Sequence, residues 1–448
     1  MTDFMQQPLT VAAETAPAWL AQVLERGRQQ WRDSALPNRK TEAWKYNNLQ
    51  ALQQPFVAVD RHAAPQLGNI RYPQLPGSTL VFADGLYREE LSKIDLPAGA
   101  RLLRFSEADE ASAAHIAERL GSAINRSQHR FAALNEATLT DGVFLQVDAN
   151  TVLEQPVHLV WLTSGQMEAV SVNQRLLVQL GANSQASVVE TFSNANTGGT
   201  AFTNGISELL LGEGARLDHY RLQLEQGESA HIGGVHAAID ANSTLNSFHL
   251  ALGSRLKRID LVVEHRGQGA HCELNGIYLP RGEEQVDYHT CIEHAVPHCT
   301  SSETFRGIVS DEACAIFNGR IHIHPNAQKT RAELSNKNLL TSNRAEVNTK
   351  PELEIYADDV QCAHGATVAQ MDPLTLHYLR TRGVPKDEAE VMISYGFINE
   401  LVDGVRNKAL RDYLKPLLAR RFARNDKLTR HILEEESLEQ ESLEGGHE

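Results

Sequence analysis

The sequence predicts a mainly β protein, a solenoid core of short strands with helical segments before and after it. Three observations point there. From about residue 140 to 370, segments such as VFLQV, VHLVWL, RLLVQL, SVVETF, ISELLL, IDLVVEH and IHIH succeed one another, punctuated by Gly, Asn and Asp. No helical period of useful length interrupts them, so crossover helices are missing and a sandwich, a barrel or a β-solenoid remains. A turn residue followed by a small one recurs behind an apolar strand, as Asn183-Ser184, Gly214-Ala215, Asn242-Ser243 and Gly269-Ala270, spaced by 31, 28 and 27 residues. It returns at Glu312-Ala313 and Gly365-Ala366. Stacked coils sharing one corner keep such spacing and a sandwich has no reason to, so the solenoid is the preferred reading.

Residues 1–135 make a helical and mixed region. Val11, Leu20, Val23 and Leu24 recur near helical spacing within about 8–52, broken at Pro37-Asn38 before the run Arg39-Lys40-Thr41-Glu42-Ala43-Trp44-Lys45-Tyr46. Residues 55–105 read as irregular, with several prolines and short apolar runs such as Leu80-Val81-Phe82, and 106–134 read as helical again. The solenoid occupies 136–372. Its open sheet edges would template aggregation unless covered, and the helical regions on either side are the candidate covers.

Within 373–433, Leu374, Leu376 and Leu379 lie on a short helix closed by Gly383 as a left-handed cap. Pro385 opens a second helix. Ile393, Phe397, Leu401 and Val405, spaced by four, give that helix an apolar stripe. A third helix, about 407–422, carries Leu410, Leu414, Leu417 and Leu418. Residues 434–448 hold seven Glu and no Lys or Arg, the signature of a solvated acidic tail.

The 448 residues carry 42 Lys+Arg against 57 Asp+Glu, a net charge of −15, which counts against a general nucleic-acid binder. No run of eighteen apolar residues offers a membrane span. The start, MTDFMQQPLT, lacks the basic and apolar stretches of a secretory signal. Five cysteines (Cys272, Cys291, Cys299, Cys314 and Cys362), odd in number and without a CxxC pair, argue against a disulfide framework or zinc ribbon and fit a reducing cytoplasm. Neither GxxxxGK[ST] nor a helix-opening GxGxxG is present, so the chain does not hydrolyse ATP through a P-loop.

The densest chemistry lies in 287–299, with three imidazoles, two thiols and two carboxylates. On a strand His289, Cys291 and Glu293 share one face while Tyr288, Thr290, Ile292 and His294 share the other. Neither face collects a conventional ligand spacing, and a ladder of buried, hydrogen-bonded histidines is the preferred reading. His322-Ile323-His324 sets two imidazoles on one face, but the further ligands of a cupin site do not follow. Asp358-Asp359, being adjacent, point to opposite sides and do not make an acid/base pair, whereas one of them suits a turn. Cys362-Ala363-His364 differs: residues two apart converge on one face, where the solenoid should end, and both are metal-ligand types.

These residues carry a resemblance. Asp287-Tyr288-His289-Thr290, Glu293-His294, Phe317-Asn318-Gly319-Arg320-Ile321, Ala327-Gln328-Lys329-Thr330, Lys350-Pro351-Glu352-Leu353-Glu354-Ile355, Asp358-Asp359-Val360, Cys362 through Val368 and Tyr378 through Gly383 closely resemble the SufD scaffold family of the SUF iron–sulfur cluster assembly system. The run 39–46 matches too. The resemblance implies a right-handed parallel β-helix core flanked by helical N- and C-terminal domains, and a non-catalytic scaffold role. It implies pairing with the related SufB through the end of the helix, and docking of the SufC ATPase on the C-terminal helical region that includes Phe397, Leu401 and Val405. His364 and Cys362 match residues implicated at that interface, where a transient iron–sulfur cluster or iron would be shared with SufB. A SufB chain carries a cysteine where this one reads Ser335-Asn336-Lys337-Asn338 and lacks the CxHGAT phrase, which favours SufD. Ala369 stands where a glycine is usual. A flavin accompanies such complexes, but no flavin signature is visible here. The exposed β-helix end also allows a homodimer when the chain is alone. Two rival classes stay open: a β-helix enzyme acting on carbohydrate, and a stand-alone metal-binding protein using 287–299.

Overall fold

The computed structural model describes residues 4–60, 65, 67–68, 70–165, 168–195 and 200–422. The predicted acidic tail, 434–448, lies outside the described residues. In the N-terminal part, α1 (Gln6–Thr15) and α2 (Ala21–Asp33) precede β1 (Val57–Ala58), β2 (Ser78–Ala83), β3 (Leu86–Tyr87) and β4 (Ala100–Arg104), then α3 (Glu110–Arg119) and α4 (Arg130–Ala137). The core begins with β5 (Val143–Val147), β6 (Val157–Thr163), β7 (Val170–Leu180), β8 (Gln185–Asn194), β9 (Ala201–Leu211) and β10 (Arg216–Gln223). It continues through β11 (Ala230–Ile239), β12 (Thr244–Leu252), β13 (Leu256–His265), β14 (His271–Leu279) and β15 (Gln285–His294). β16 (Thr300–Val309), β17 (Cys314–Ile323), β18 (Arg331–Leu340), β19 (Glu346–Ile355) and β20 (Gln361–Gln370) complete it. Three helices follow, α5 (Pro373–Thr381), α6 (Lys386–Asp403) and α7 (Lys408–Phe422).

From β5 onward the odd strands form one sheet and the even strands a second, and each strand from β7 to β18 pairs in parallel with the strand two before and two after it. The two sheets face each other, but the chain alternates between them at every strand. That makes a parallel β-solenoid and excludes an antiparallel sandwich. Stacking puts like on like. In the odd sheet Leu145, Val178, Leu209, Ala237, Val263, Ile292, Ile321 and Leu353 follow one another in register, all but the last fully buried. In the even sheet Phe82, Trp161 and Phe192 stack similarly, with ring centroids 4.6 and 6.3 Å apart.

The corner pattern has a direct physical cause. Asn150, Asn183, Gly214, Asn242, Gly269, His298 and Lys329 all adopt left-handed backbone, with φ between 56° and 75°. Their N–H groups reach the next coil, as in Asn183 to Glu213 (2.8 Å), Gly214 to Ala241 (2.8 Å) and Asn242 to Gln268 (2.9 Å). Asparagine tolerates this conformation and glycine prefers it. The alternation between them is steric: a Cβ at Gly214 would lie 2.4 Å from Asn183 Oδ1, and one at Gly269 would lie 2.5 Å from Asn242 Oδ1. Ser184, Ala215, Ser243 and Ala270 behind them are buried. At Glu312 the left-handed residue is instead its neighbour Asp311. The match at Gly365-Ala366 does not mark a corner, since both residues lie inside β20.

The start of the solenoid is covered. β2, read from sequence as part of an irregular stretch, extends the even sheet in parallel on β6, and β4 closes the odd sheet antiparallel on β5. α2 packs on α4, where buried Glu136 accepts from Arg26 and Arg126 at 2.9–3.1 Å. Buried Glu208 of β9 accepts from the backbone of Gly121 (2.6 Å) and Ala123 (3.2 Å) and pairs with buried Arg175 of β7. One carboxylate thus binds the N-terminal region to the solenoid. On the even sheet, Ile398, Leu401, Val402 and Val405 of α6 and its end, with Leu410, Leu414 and Leu418 of α7, pack over Leu222, Leu250, Ile277 and Ile308. Gly383 caps α5 with φ +89°.

Buried polar side chains set a pH response. Burial holds His158, His265 and His294 neutral, pushed down to about 3, 4 and 2. The unfolded chain protonates histidine near pH 6.5, so below that pH it binds more protons than the folded chain and stability falls. Burial raises Glu190 and Glu225, but Arg221 and His231 respectively overcome it and bring both down to about 2, so their contribution is lost below about pH 4.5. Glu303 acts in the opposite sense. Burial pushes it up to about 8, and its share is lost as pH rises from 4.5 toward 8. Histidines outnumber it. Denaturation midpoints at constant ionic strength should therefore fall from pH 6.5 to 4, each such histidine contributing about 1.4 kcal/mol per pH unit. A flat profile over that range would contradict the interior as described.

Candidate functional site

Among the described residues the far end of the solenoid has no cover strand. β19 and β20 are the last members of their sheets, each paired on one side only. β20, QCAHGATVAQ, holds no charge and no proline, the features that usually protect an edge. It is exposed or half-buried along its whole length, and nearby Ile355, Tyr356 and Val368 are also exposed.

Cys362 and His364 sit on this strand. They stand in register with Ala332 and Leu334 of β18, both core residues, so they occupy interior-face positions whose next coil is missing. Cys362 is half-buried against the core, and burial pushes its thiol up. His364 is exposed. Further along the same face, beneath Ala366 and Val368, lies a polar cluster: Asn336 donates to Tyr278 Oη (2.9 Å), Asn338 donates to Asn336 Oδ1 (2.7 Å), and Thr349 donates to the same oxygen (2.8 Å).

The other residues singled out from the sequence fall as follows. β15 alternates as predicted, with Tyr288, Thr290, Ile292 and His294 buried and His289, Cys291 and Glu293 half-buried on the opposite face. His294 accepts or donates to Ser301 at 3.0 Å and stacks on His265 at 4.3 Å, a buried histidine ladder. Asp359 sits in the turn before β20 and pairs with Lys329 on the preceding coil. Leu401 and Val405 are buried and Phe397 half-buried against the even sheet. Among the described residues of the same helical region, the exposed large apolar side chains are Leu374, Tyr378 and Met392. All five cysteines are free. No helix among the described residues is long and apolar enough to cross a membrane.

One grouping could not be read from single segments. Glu293 of β15 is in register with His322 of β17, 29 residues later, and His324 follows on the same face. His322 Nδ1 and His324 Nε2 approach Glu293 Oε2 at 2.5 and 2.9 Å. The 287–299 run and the 322–324 pair looked incomplete apart, and the repeat length of the solenoid joins them.

The solenoid is thus covered at one end and, among the described residues, uncovered at the other, where the last coil carries a thiol and an imidazole. Residues 162–397 match the family model for the SUF system FeS cluster assembly, SufBD core domain, and residues 1–159 match that for the SufBD protein N-terminal region. The chain belongs to this SufBD family. It is 31% identical over 394 residues to an iron–sulfur cluster assembly SufBD family protein of Synechocystis, spanning 85% of this chain and 86% of that one. It is 31% identical over 400 residues to the iron–sulfur cluster assembly protein SufD of Escherichia coli (88% and 91%), and 30% identical over 291 residues to SufD of Bacillus subtilis (63% and 65%).

Proposed function

We propose that the chain is a non-catalytic scaffold subunit for iron–sulfur cluster assembly, pairing with a SufB subunit through the open end of its solenoid. The observation that carries this is β20, an uncharged and unpaired edge bearing His364 and Cys362 at its interior face. Adding a partner strand there would satisfy the free N–H and C=O groups and bury the exposed Val368. The same step would bring partner ligands against the imidazole and thiol. Iron or a nascent cluster held between two chains loses part of its ligand set when the interface opens, which suits release to an acceptor.

The energy for opening would come from a SufC ATPase, consistent with the missing P-loop. Two SufC copies, one on each helical region, would strain the interface as ATP draws them together. Because Leu401 and Val405 anchor α6 to the sheet, docking would use the exposed side of that region, where Leu374, Tyr378 and Met392 lie. The setting would be the reducing cytoplasm, in keeping with five free cysteines.

Co-expression tests the reading. Tagged chain should recover SufB and SufC in a stoichiometric complex, and chain expressed alone should yield a homodimer or a monomer without a cluster. Failure to retain SufB at any salt concentration would contradict it.

A further inference from the structure

We propose that Glu293, His322 and His324 form a site for a borderline first-row divalent cation such as zinc(II) or iron(II). It lies on the odd sheet, away from β20, and does not depend on the scaffold reading. One oxygen and two imidazole nitrogens, one from each residue, all lie within 4.8 Å of one another. Two imidazoles and one carboxylate are a ligand set these ions favour, with positions left over for water or a further ligand.

The division of labour within the Glu293 carboxylate supports the assignment. Oε2 receives both imidazoles, at 2.5 and 2.9 Å. Oε1 is engaged by the Cys291 thiol at 3.3 Å and by Arg320 at 3.6 Å, and the same guanidinium also reaches His322 Nδ1 at 3.2 Å. Arg320 is also held by Glu354 at 3.2 Å, so one cation here stands against two carboxylates and a negative charge remains. The two imidazole rings are 4.2 Å apart and tilted by 35°, His322 near the end of β17 and His324 just past it. A bound cation would take the place of these contacts, displace Arg320 from His322 Nδ1 and need a small outward shift of the three ligand atoms.

Access is open. The three residues line the wall of a cleft of about 1360 Å³ between the odd sheet and the N-terminal segment carrying Trp44 and Lys45. The His324 side chain is 40% exposed and His322 and Glu293 are partly so, leaving a path for a hydrated ion.

The test uses the untagged full-length chain, stripped with chelator and dialysed against zinc(II), with bound metal read by elemental analysis and calorimetry. One tight zinc per chain is expected. His324→Gln and Glu293→Gln should each weaken it by at least about tenfold, with unchanged thermal melting in the absence of metal. Cys362→Ser and His364→Ala should leave it unaltered, and magnesium should not compete, since it prefers all-oxygen sites. Cobalt(II) should substitute, giving a visible spectrum that the same two variants abolish. Absence of zinc binding would overturn the site, as would binding that survives both triad variants or that disappears with Cys362→Ser or His364→Ala.

Discussion

His364→Ala is expected to leave the fold and the assembled complex intact while lowering cluster assembly in cells by at least about tenfold, the scale set by losing a group that binds or orients a metal. The structural half of this expectation follows from exposure. His364 is on the solvent-exposed terminal strand, its in-register neighbour Leu334 remains packed in the core, and truncation opens no cavity. The functional half follows from chemistry, since the proposed half-site would keep a single thiol and no imidazole. Cys362→Ser should act in the same direction with a somewhat larger stability change, because the thiol is half-buried against the core. Full cluster assembly by the alanine variant under iron-limited or oxidative growth would contradict the role given to this position.

Glu208→Ala should destabilise the folded chain by about 3–5 kcal/mol, the typical cost of orphaning a buried charge. Arg175 and Glu208 are both fully buried and paired. Removing the carboxylate leaves the guanidinium with Asn135 as its hydrogen-bond partner (3.1 Å) and strips the acceptors from Gly121 and Ala123. The N-terminal region should loosen from the solenoid before the coils themselves unfold, visible as a separate early transition in denaturant. The exposed pair Lys350–Glu42 is the control, since Glu42→Ala should cost under about 1 kcal/mol. A Glu208→Ala variant as stable as the control would show that this contact does not hold the two regions together.

How much of this was legible in the sequence depends on the range of the interaction. Corners were legible because a left-handed backbone restricts the residue locally, so Asn183, Gly214, Asn242 and Gly269 announced the coil period. The two faces of β15 and the cap at Gly383 were legible for the same reason. β2 and β4 were not: Leu80-Val81-Phe82 is too short to show a period, and its strand character comes from pairing with Val157–Thr163, some eighty residues away. Gly365-Ala366 copied the corner pattern without its conformation. The spacing of Phe397, Leu401 and Val405 gave an apolar stripe but not its direction, and that stripe covers the even sheet. The grouping of Glu293 with His322 and His324 needed the register between coils, which no single segment contains.

The most direct test of the open-ended solenoid is amide hydrogen exchange across residues 361–370, with and without a SufB partner. Among the described residues β20 pairs only with β18, so its outward amides should exchange quickly in the isolated chain and become protected when the partner adds its strand. Protection confined to other surfaces, with β20 unchanged in a stable complex, would contradict the account.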